Sequence, residues 1–119
     1  MASNSEAVLT ELRNEALHVR RNIWRSLRSA GSGHVGGSSS AADILAALYF
    51  HFLNWRAEEP NWPDRDRFVL SKGHANAALA SVLARAGFFA DSHLDDFYGY
   101  DTLFGMHPDI KLDGVEMST

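Results

Sequence analysis

His34 lies in a turn made mostly of glycine, Gly31-Ser-Gly-His-Val-Gly-Gly37. Because glycine has no side chain, such a turn lets a ligand approach the backbone and gives a histidine few partners in a core. The start of the helix that follows presents free N–H groups, which favour anions. The pattern favours a ligand-facing His34 whose imidazole moves protons near neutral pH. The alternative is a turn between two helices in which His34 only caps a helix or faces water.

His74 follows the apolar run Phe68-Val-Leu70 and the turn Ser71-Lys-Gly73. If the run is a strand, His74 lies at its carboxyl end, where open α/β sheets place their ligands. A histidine at a helix N-terminus that is satisfied by its own neighbours is an equal interpretation. Together with His34, His74 suggests a site for a phosphorylated ligand, whereas Lys72 is expected to face solvent.

His107 precedes Pro108 in a segment without periodicity. The residue before a proline is held extended, so the ring is presented from a loop, and loops often carry function. The other three histidines fall in predicted helices and are interpreted as structural: His18, His51 and His93. No two histidines are three or four residues apart and no carboxylate pair accompanies them, so no metal site is predicted within the chain.

Helices are predicted on both sides of the His34 turn. Residues 6–30 carry apolar residues at intervals of three and four, and Gly31 ends this first helix. Its apolar face comprises Leu9, Leu12, Ala16, Val19, Ile23 and Leu27. A second helix is predicted from Ser40, where Asp43 completes a capping-box-like spacing, to about residue 54. Its apolar stripe comprises Ile44, Leu45, Leu48, Tyr49 and Phe52.

The His74 turn is predicted to join a strand to a helix. Phe68-Val-Leu70 is short and wholly apolar, as expected of a buried strand in a parallel sheet. The next helix runs from His74 to Ala86 and ends at Gly87, and a short helix follows over residues 92–98. Residues 55–66 and 99–119 are interpreted as loops. One strand cannot form a sheet alone, so the sequence predicts a mostly helical portion of an α/β fold with one parallel-type strand.

Length and composition fit one small domain. The chain has 119 residues, of which 45% are hydrophobic and 22% are charged. Its formal net charge of -4 argues against nucleic acid as a partner. The absence of cysteine excludes disulfides and fits a reducing compartment. The sequence also lacks a signal-peptide pattern and an apolar run of membrane-spanning length, so a cytoplasmic location and no membrane partner are expected.

Several separated motifs, in the right order, resemble the N-terminal part of transketolases, and most of all the N-terminal subunit of split transketolases. The similarity runs from about Arg20 to Thr119. It rests on Ser32-Gly-His-Val-Gly-Gly-Ser38, Ala42-Asp-Ile-Leu-Ala-Ala-Leu-Tyr-Phe50, Asp64-Arg-Asp-Arg-Phe-Val-Leu-Ser-Lys-Gly-His-Ala75, His107-Pro-Asp109 and Gly114-Val-Glu-Met-Ser-Thr119. The family pattern usually has glycine where this chain has Met106 and proline where it has Asp113.

This resemblance implies both a fold and a chemistry. The fold would be an α/β thiamine-diphosphate-binding fold, and the reaction would transfer a two-carbon ketol unit between sugar phosphates. The cofactors would be thiamine diphosphate and Mg²⁺ or another divalent cation. His34 would be catalytic and bind the sugar, His107 would bind the sugar, and His74 would bind the cofactor. The complete enzyme would be a homo-oligomer or a heterotetramer, completed by a C-terminal transketolase subunit or by the remainder of the chain.

The resemblance also implies that part of the site lies elsewhere. In the family, a glycine-rich turn, a Gly-Asp-Gly segment and an asparagine beyond the Thr119 position hold the diphosphate and the metal. Residues 1–119 are therefore expected to form an incomplete N-terminal part of the domain that neither binds the cofactor nor has activity alone. A hypothesis of a different class is a small helical interaction protein, or a non-catalytic remnant, that binds a partner through the face of Leu9, Leu12, Val19 and Ile23.

Overall fold

Three helices form the framework of the chain. The structure is a computed structural model that describes residues 2–31, 33–97, 105 and 107–119, with side chains from residue 5 onward. The helices are α1 (Ala2–Ala30), α2 (Val35–Ala47) and α3 (Asn76–Ala86). A π-helical turn, Leu48–Phe52, extends α2, and two 3-10 segments cover Gly73–Ala75 and Asp91–Asp96. The expectation of a mostly helical chain is confirmed.

Helix α1 packs along one side of α2 and α3 and buries four residues of the predicted apolar stripe, whereas Leu9 is 50% exposed and Leu12 is partly buried. Ala16, Val19, Ile23 and Leu27 are all at most 5% exposed. They recur at three and four residues because successive turns of a helix bring these positions to the same face. Gly31 ends the helix with a φ of 76°, a conformation that glycine adopts without steric cost.

Helix α2 begins at Val35, so the predicted start at Ser40 is wrong. The serine run lies inside the helix, where Ser38 is fully buried and the Ser40 hydroxyl donates to the Gly37 carbonyl at 3.0 Å. Such a bond to the preceding turn satisfies a serine within a helix, so the run does not have to mark a helix start. The predicted capping partner Asp43 instead accepts hydrogen bonds of 3.0 and 2.7 Å from Arg20 of α1.

Helix α3 is the most enclosed element. Its predicted end at Ala86 is confirmed, but the helix begins at Asn76 and not at His74, which lies in the 3-10 segment Gly73–Ala75. Every residue from Asn76 to Ala84 is buried, because its small side chains let the other helices approach it on several sides. Gly87 ends the helix in the left-handed conformation with a φ of 95°. The short predicted helix after it is the 3-10 segment Asp91–Asp96, and its predicted end at Tyr98 lies outside the described residues.

The predicted strand Phe68–Leu70 is not found, and no residue in the described part of the chain forms a β-strand. A strand requires a partner for its backbone groups. Here the Leu70 carbonyl accepts a hydrogen bond of 2.7 Å from the Thr119 hydroxyl, while Val69 remains 41% exposed. The run is therefore apolar and partly buried, but no segment in the described part of the chain forms a strand with which it could pair.

The predicted loops fit the structure where it describes them. Residues 55–66 form successive turns, and residues 107–119 have no regular secondary structure. Residues 99–104 and 106 of the second predicted loop lie outside the described residues. Among the helices described, none combines the length and the apolar character that a membrane span requires.

Candidate functional site

Two of the predicted site histidines meet at the surface. His34 occupies the position just before α2, and His74 lies in the 3-10 turn Gly73–Ala75 that leads into α3. Their ring centroids are 5.3 Å apart, with an interplanar angle of 71°, so one ring presents its edge to the other. Both residues are exposed. The packing of α2 against the start of α3 thus brings together two histidines that are distant in the sequence.

Gly37 provides the close contact between these elements. A Cβ atom built on Gly37 would lie 3.1 Å from Cδ2 and Nε2 of His74 and 3.2 Å from Cε of Lys72. These separations are tight for carbon contacts, so the absence of a side chain lets His74 and Lys72 lie against α2. Gly37 therefore makes room on α2 for the side chains of both His74 and Lys72.

Lys72 is exposed, as predicted, but it also has a specific partner. Its ammonium group donates a hydrogen bond of 3.0 Å to the hydroxyl of Ser40, which itself donates to the Gly37 carbonyl at 3.0 Å. This chain of hydrogen bonds holds the ammonium group beside the histidines. Sequence reasoning missed Lys72 and Ser40 as members of the cluster, because their contact joins residues on separate elements.

His107 reaches the same turn from the C-terminal segment. A Cβ atom on Gly73 would lie 2.5 Å from Nδ1 of His107 and 3.0 Å from the carbonyl carbon of Thr119. The His107 ring therefore covers Gly73 on the side from which a Cβ atom would project, and an alanine methyl group would not fit there. His34, His74 and His107, with Lys72, form one group that we call the histidine cluster.

The remaining histidines have other neighbours. His18 is partly buried on α1. The ring of His51 lies 4.9 Å from that of Phe52, and the ring of His93 lies 6.4 Å from that of Phe89.

An ion pair joins the two helices that flank the His34 turn. Arg20 of α1 holds both carboxylate oxygens of Asp43 on α2. The hydrogen bond with Arg20 lowers the pKa of Asp43, and the same hydrogen bond raises the pKa of Arg20. This bidentate pair fixes the relative position of the helices around His34.

The chemistry of the histidine cluster suits an anionic, oxygen-rich ligand. Imidazole rings both donate and accept hydrogen bonds, and a lysine ammonium group donates only. Across the described ranges, no three histidine, aspartate or glutamate side chains lie close enough together to hold a metal ion. Donors without grouped carboxylates favour phosphate or sugar oxygens over a metal ion.

A family model described as transketolase, thiamine diphosphate binding domain, matches residues 14–119. This chain belongs to the transketolase family. The resemblance seen in the sequence motifs is therefore confirmed, and the chain corresponds to the N-terminal part of its transketolase relatives.

Relatives include both whole transketolases and subunits of transketolases. The chain is 39% identical over 110 residues to the 6-deoxy-6-sulfo-D-fructose transketolase subunit SqwG of Clostridium sp. (strain MSTE9), covering 92% of this chain and 40% of the relative. It is 37% identical over 111 residues to human transketolase, covering 93% of this chain and 18% of the relative. An apulose-4-phosphate transketolase subunit of Phocaeicola vulgatus is 34% identical, with coverage of 84% and 36%.

Solved transketolases share the same arrangement of elements. Transketolase from Leishmania mexicana superposes with a TM-score of 0.86 at 29% identity, covering 91% of this chain and 16% of that structure. The Campylobacter jejuni transketolase superposes with a TM-score of 0.84 at 36% identity, with coverage of 91% and 17%. The chain therefore has a transketolase fold and spans less than half the length of these relatives.

Proposed function

We propose that this chain is the N-terminal piece of a transketolase that moves a two-carbon ketol unit from a ketose phosphate to an aldose phosphate. The observation that carries this proposal is the meeting of His34 and His74 beside Lys72, with His107 lying against Gly73 in the turn that holds His74. Three imidazoles beside an ammonium group can hold sugar oxygens and phosphate oxygens together.

The histidine cluster has the donors for part of a thiamine diphosphate site. His74 and Lys72 would hold the cofactor, and Gly36 has open space on its Cβ side, so that the backbone can be approached there. When bound, thiamine diphosphate supplies the carbanion chemistry that breaks and forms the carbon–carbon bond. Mg²⁺ or another divalent cation would accompany the diphosphate, with ligands from outside the cluster.

His34 is the residue that we assign to proton movement. It is exposed, it lies at the helix start beside His74, and its imidazole nitrogens can donate or accept a proton. It would bind a sugar oxygen and transfer a proton to or from it. His107, on the other side of the turn, would bind and orient a second sugar oxygen.

A second polypeptide, or a continuation of this one, would complete the site. Two of the relatives are named as transketolase subunits, and the chain covers 40% or less of each relative described above. Large apolar side chains also remain exposed, among them Ile44 and Phe52 at 63% and 66%. We propose a homo-oligomer or heterotetramer as the complete enzyme, and no activity for the 119 residues alone.

The alternative of a helical interaction protein loses the surface on which it depended. Val19 and Ile23 are 0% exposed because α1 buries them against this chain's own core, and Leu12 is partly buried. Of the four residues in that face, Leu9 remains available at 50% exposure. A partner could not reach the face without unfolding the domain.

Reconstitution tests the proposal directly. The chain would be joined to the remainder of the N-terminal subunit of a split transketolase, which carries the diphosphate- and metal-binding segment that the resemblance places beyond the Thr119 position. This reconstituted enzyme would be combined with the C-terminal subunit, thiamine diphosphate and Mg²⁺, and ketol transfer between sugar phosphates would be measured. Activity is expected in this complex and not in a mixture of the 119 residues with the C-terminal subunit. An assembled, cofactor-loaded complex that transfers no ketol unit from any sugar phosphate tested would contradict the proposed function.

A further inference from the structure

The position of His107 is not set by a helix or strand of its own. Residues 107–119 have no regular secondary structure, and hydrogen bonds close this segment on itself. The Thr119 amide donates to the Pro108 carbonyl at 3.4 Å, and the Ile110 amide donates to the Ser118 hydroxyl at 2.8 Å. The start of the segment, which carries His107, is therefore tied to its end.

That end is attached to the rest of the molecule by a shielded ion pair. The Glu116 carboxylate accepts two hydrogen bonds from Arg65, at 2.7 Å from Nε and 2.8 Å from Nη2. The two side chains are only 12% and 14% exposed. Arg65 is itself held, because its Nη1 donates to the Trp62 carbonyl at 3.0 Å. A two-pronged contact with little water around it fixes direction as well as distance.

A second attachment follows on the same stretch of chain. The Thr119 hydroxyl donates to the carbonyl of Leu70, which comes just before the turn that contains Gly73. Arg65 and Leu70 thus lie on the stretch that leads into the turn, and Glu116 and Thr119 lie on the segment that carries His107. The Arg65–Glu116 and Leu70–Thr119 contacts hold the two stretches side by side, and they thereby place the His107 ring against Gly73.

We propose that Glu116, acting through Arg65, is a positioning residue for His107. Glu116 touches neither His107 nor His74 in the contacts described. It fixes the segment that sets the distance between the His107 ring and the Gly73 turn. The consequence for sugar binding rests on the proposed function, whereas the control of the His107 position does not.

Nuclear Overhauser contacts in the isotopically labelled chain test the geometry without any activity. The informative signals join the His107 ring to the Gly73 Hα and the His34 ring to the His74 ring. Glu116→Gln is expected to abolish the first signal and keep the second. The charge-swapped double variant Arg65→Glu with Glu116→Arg is expected to restore the first signal in part, because it re-forms the ion pair but loses the hydrogen bond from Arg65 to the Trp62 carbonyl. The matched control is Glu15→Gln, which removes a similar pair with Arg85, at 2.7 and 3.1 Å, between α1 and α3.

Three outcomes would overturn the inference. The first is a His107–Gly73 contact that persists in Glu116→Gln. The second is loss of both contacts together, since the ion pair would then support the whole fold and not His107 in particular. The third is absence of the contact from the unsubstituted chain.

Kinetics of the reconstituted enzyme then test the consequence for substrate. Glu116→Gln is expected to raise the KM for the sugar phosphate and to leave the cofactor dissociation constant unchanged, as displacement of a sugar-binding side chain requires. If the unsubstituted enzyme transfers no ketol unit, the proposed function fails, while the Overhauser contacts still decide the role of Glu116.

Discussion

Gly73 and Gly37 show how single residues without side chains set the positions of the histidines. A histidine ring lies close to the position that a Cβ atom would take on each of them, His107 at 2.5 Å for Gly73 and His74 at 3.1 Å for Gly37. The candidate site histidines are thus positioned by contacts between their rings and glycine backbone. At this scale, the roles of the individual histidines are separable by substitution.

Replacing His34 by alanine is expected to lower the turnover of the reconstituted enzyme with little change in cofactor affinity. Its exposed ring at the start of α2 is assigned to proton transfer, which typically contributes about 10²–10⁴-fold to a rate. The control is His51→Ala, another exposed histidine, whose ring contacts Phe52. Steady-state rates at saturating cofactor decide the matter, and a His34 variant as active as the His51 variant would remove the catalytic role.

Replacing His74 by alanine is expected to weaken retention of thiamine diphosphate more than it changes sugar specificity. The reason is its place in the turn with Lys72, which supplies a second donor for an anion. The dissociation constant of the cofactor and the sugar KM are measured on the same preparations. An unchanged dissociation constant with a raised KM would move His74 from the cofactor to the substrate.

The elements bring these residues together through contacts between helices and turns. His34 lies just before α2, which carries the glycine that contacts His74, and the 3-10 turn that holds His74 leads into α3. Arg20 and Asp43 join α1 to α2. Changes at the junctions between elements should therefore affect the site without altering a histidine.

Gly73→Ala is expected to displace His107, because the new methyl group would lie 2.5 Å from its Nδ1. A contact this short cannot be accommodated without movement of the ring or the turn. Gly36→Ala is the matched control, since nothing lies within 4 Å of its Cβ position and alanine favours a helix by about 0.5–1 kcal/mol. Thermal unfolding and the His107–Gly73 Overhauser contact are measured for both. A Gly73 variant that keeps the contact would show that the ring does not fill this space.

Asp43→Asn is expected to destabilise the fold by about 0.2–1 kcal/mol at neutral pH, the usual range for an exposed ion pair. The Arg20 hydrogen bond lowers the pKa of Asp43 from 3.8, so the folded state favours the charged carboxylate. The contribution is therefore present above pH 3.8 and is lost as the pH falls through the lower folded-state pKa. Urea unfolding of parent and variant at several pH values measures this, with Asp64→Asn as the control on an exposed loop. A difference that does not shrink in acid would contradict the assignment.

At the scale of the whole molecule, the cluster is an exposed face and not an enclosed cavity. All three of its histidines and its lysine are exposed. Large apolar side chains are exposed as well, including Trp24, Ile44 and Phe52 at 57%, 63% and 66%. Both features fit a surface that other parts of a transketolase cover.

Isothermal titration of the isolated chain with thiamine diphosphate and Mg²⁺ is expected to show no binding at micromolar concentration. The exposed surface offers a doubly charged diphosphate one lysine and several imidazoles, and water weakens electrostatic contacts at such a surface. In addition, the described residues contain no group of side chains that could hold a metal ion. The assembled complex serves as the positive control. Micromolar binding by the 119 residues alone would show that they contain a sufficient cofactor site.

Local patterns in the sequence determined what depends on neighbours along the chain. The buried stripe of α1 and the stop at Gly87 follow from helical periodicity and from the freedom of glycine at positive φ. The three site histidines were also identifiable, because their glycine and proline neighbours, and the family motifs that contain them, are contiguous in the sequence.

Only the tertiary structure decided what depends on partners distant in the chain. Helix α2 begins at Val35 and not at Ser40, with Ser38 packed in the core, and Phe68–Leu70 forms no strand because none of the described residues pairs with it in a sheet. The positions of His74 and His107 depend on the room that Gly37 and Gly73 leave for their rings. The position of Glu116 depends on its ion pair with Arg65. Such contacts leave no periodic trace in the sequence, because each joins segments whose separation along the chain is arbitrary and whose fit is fixed only when the whole core packs.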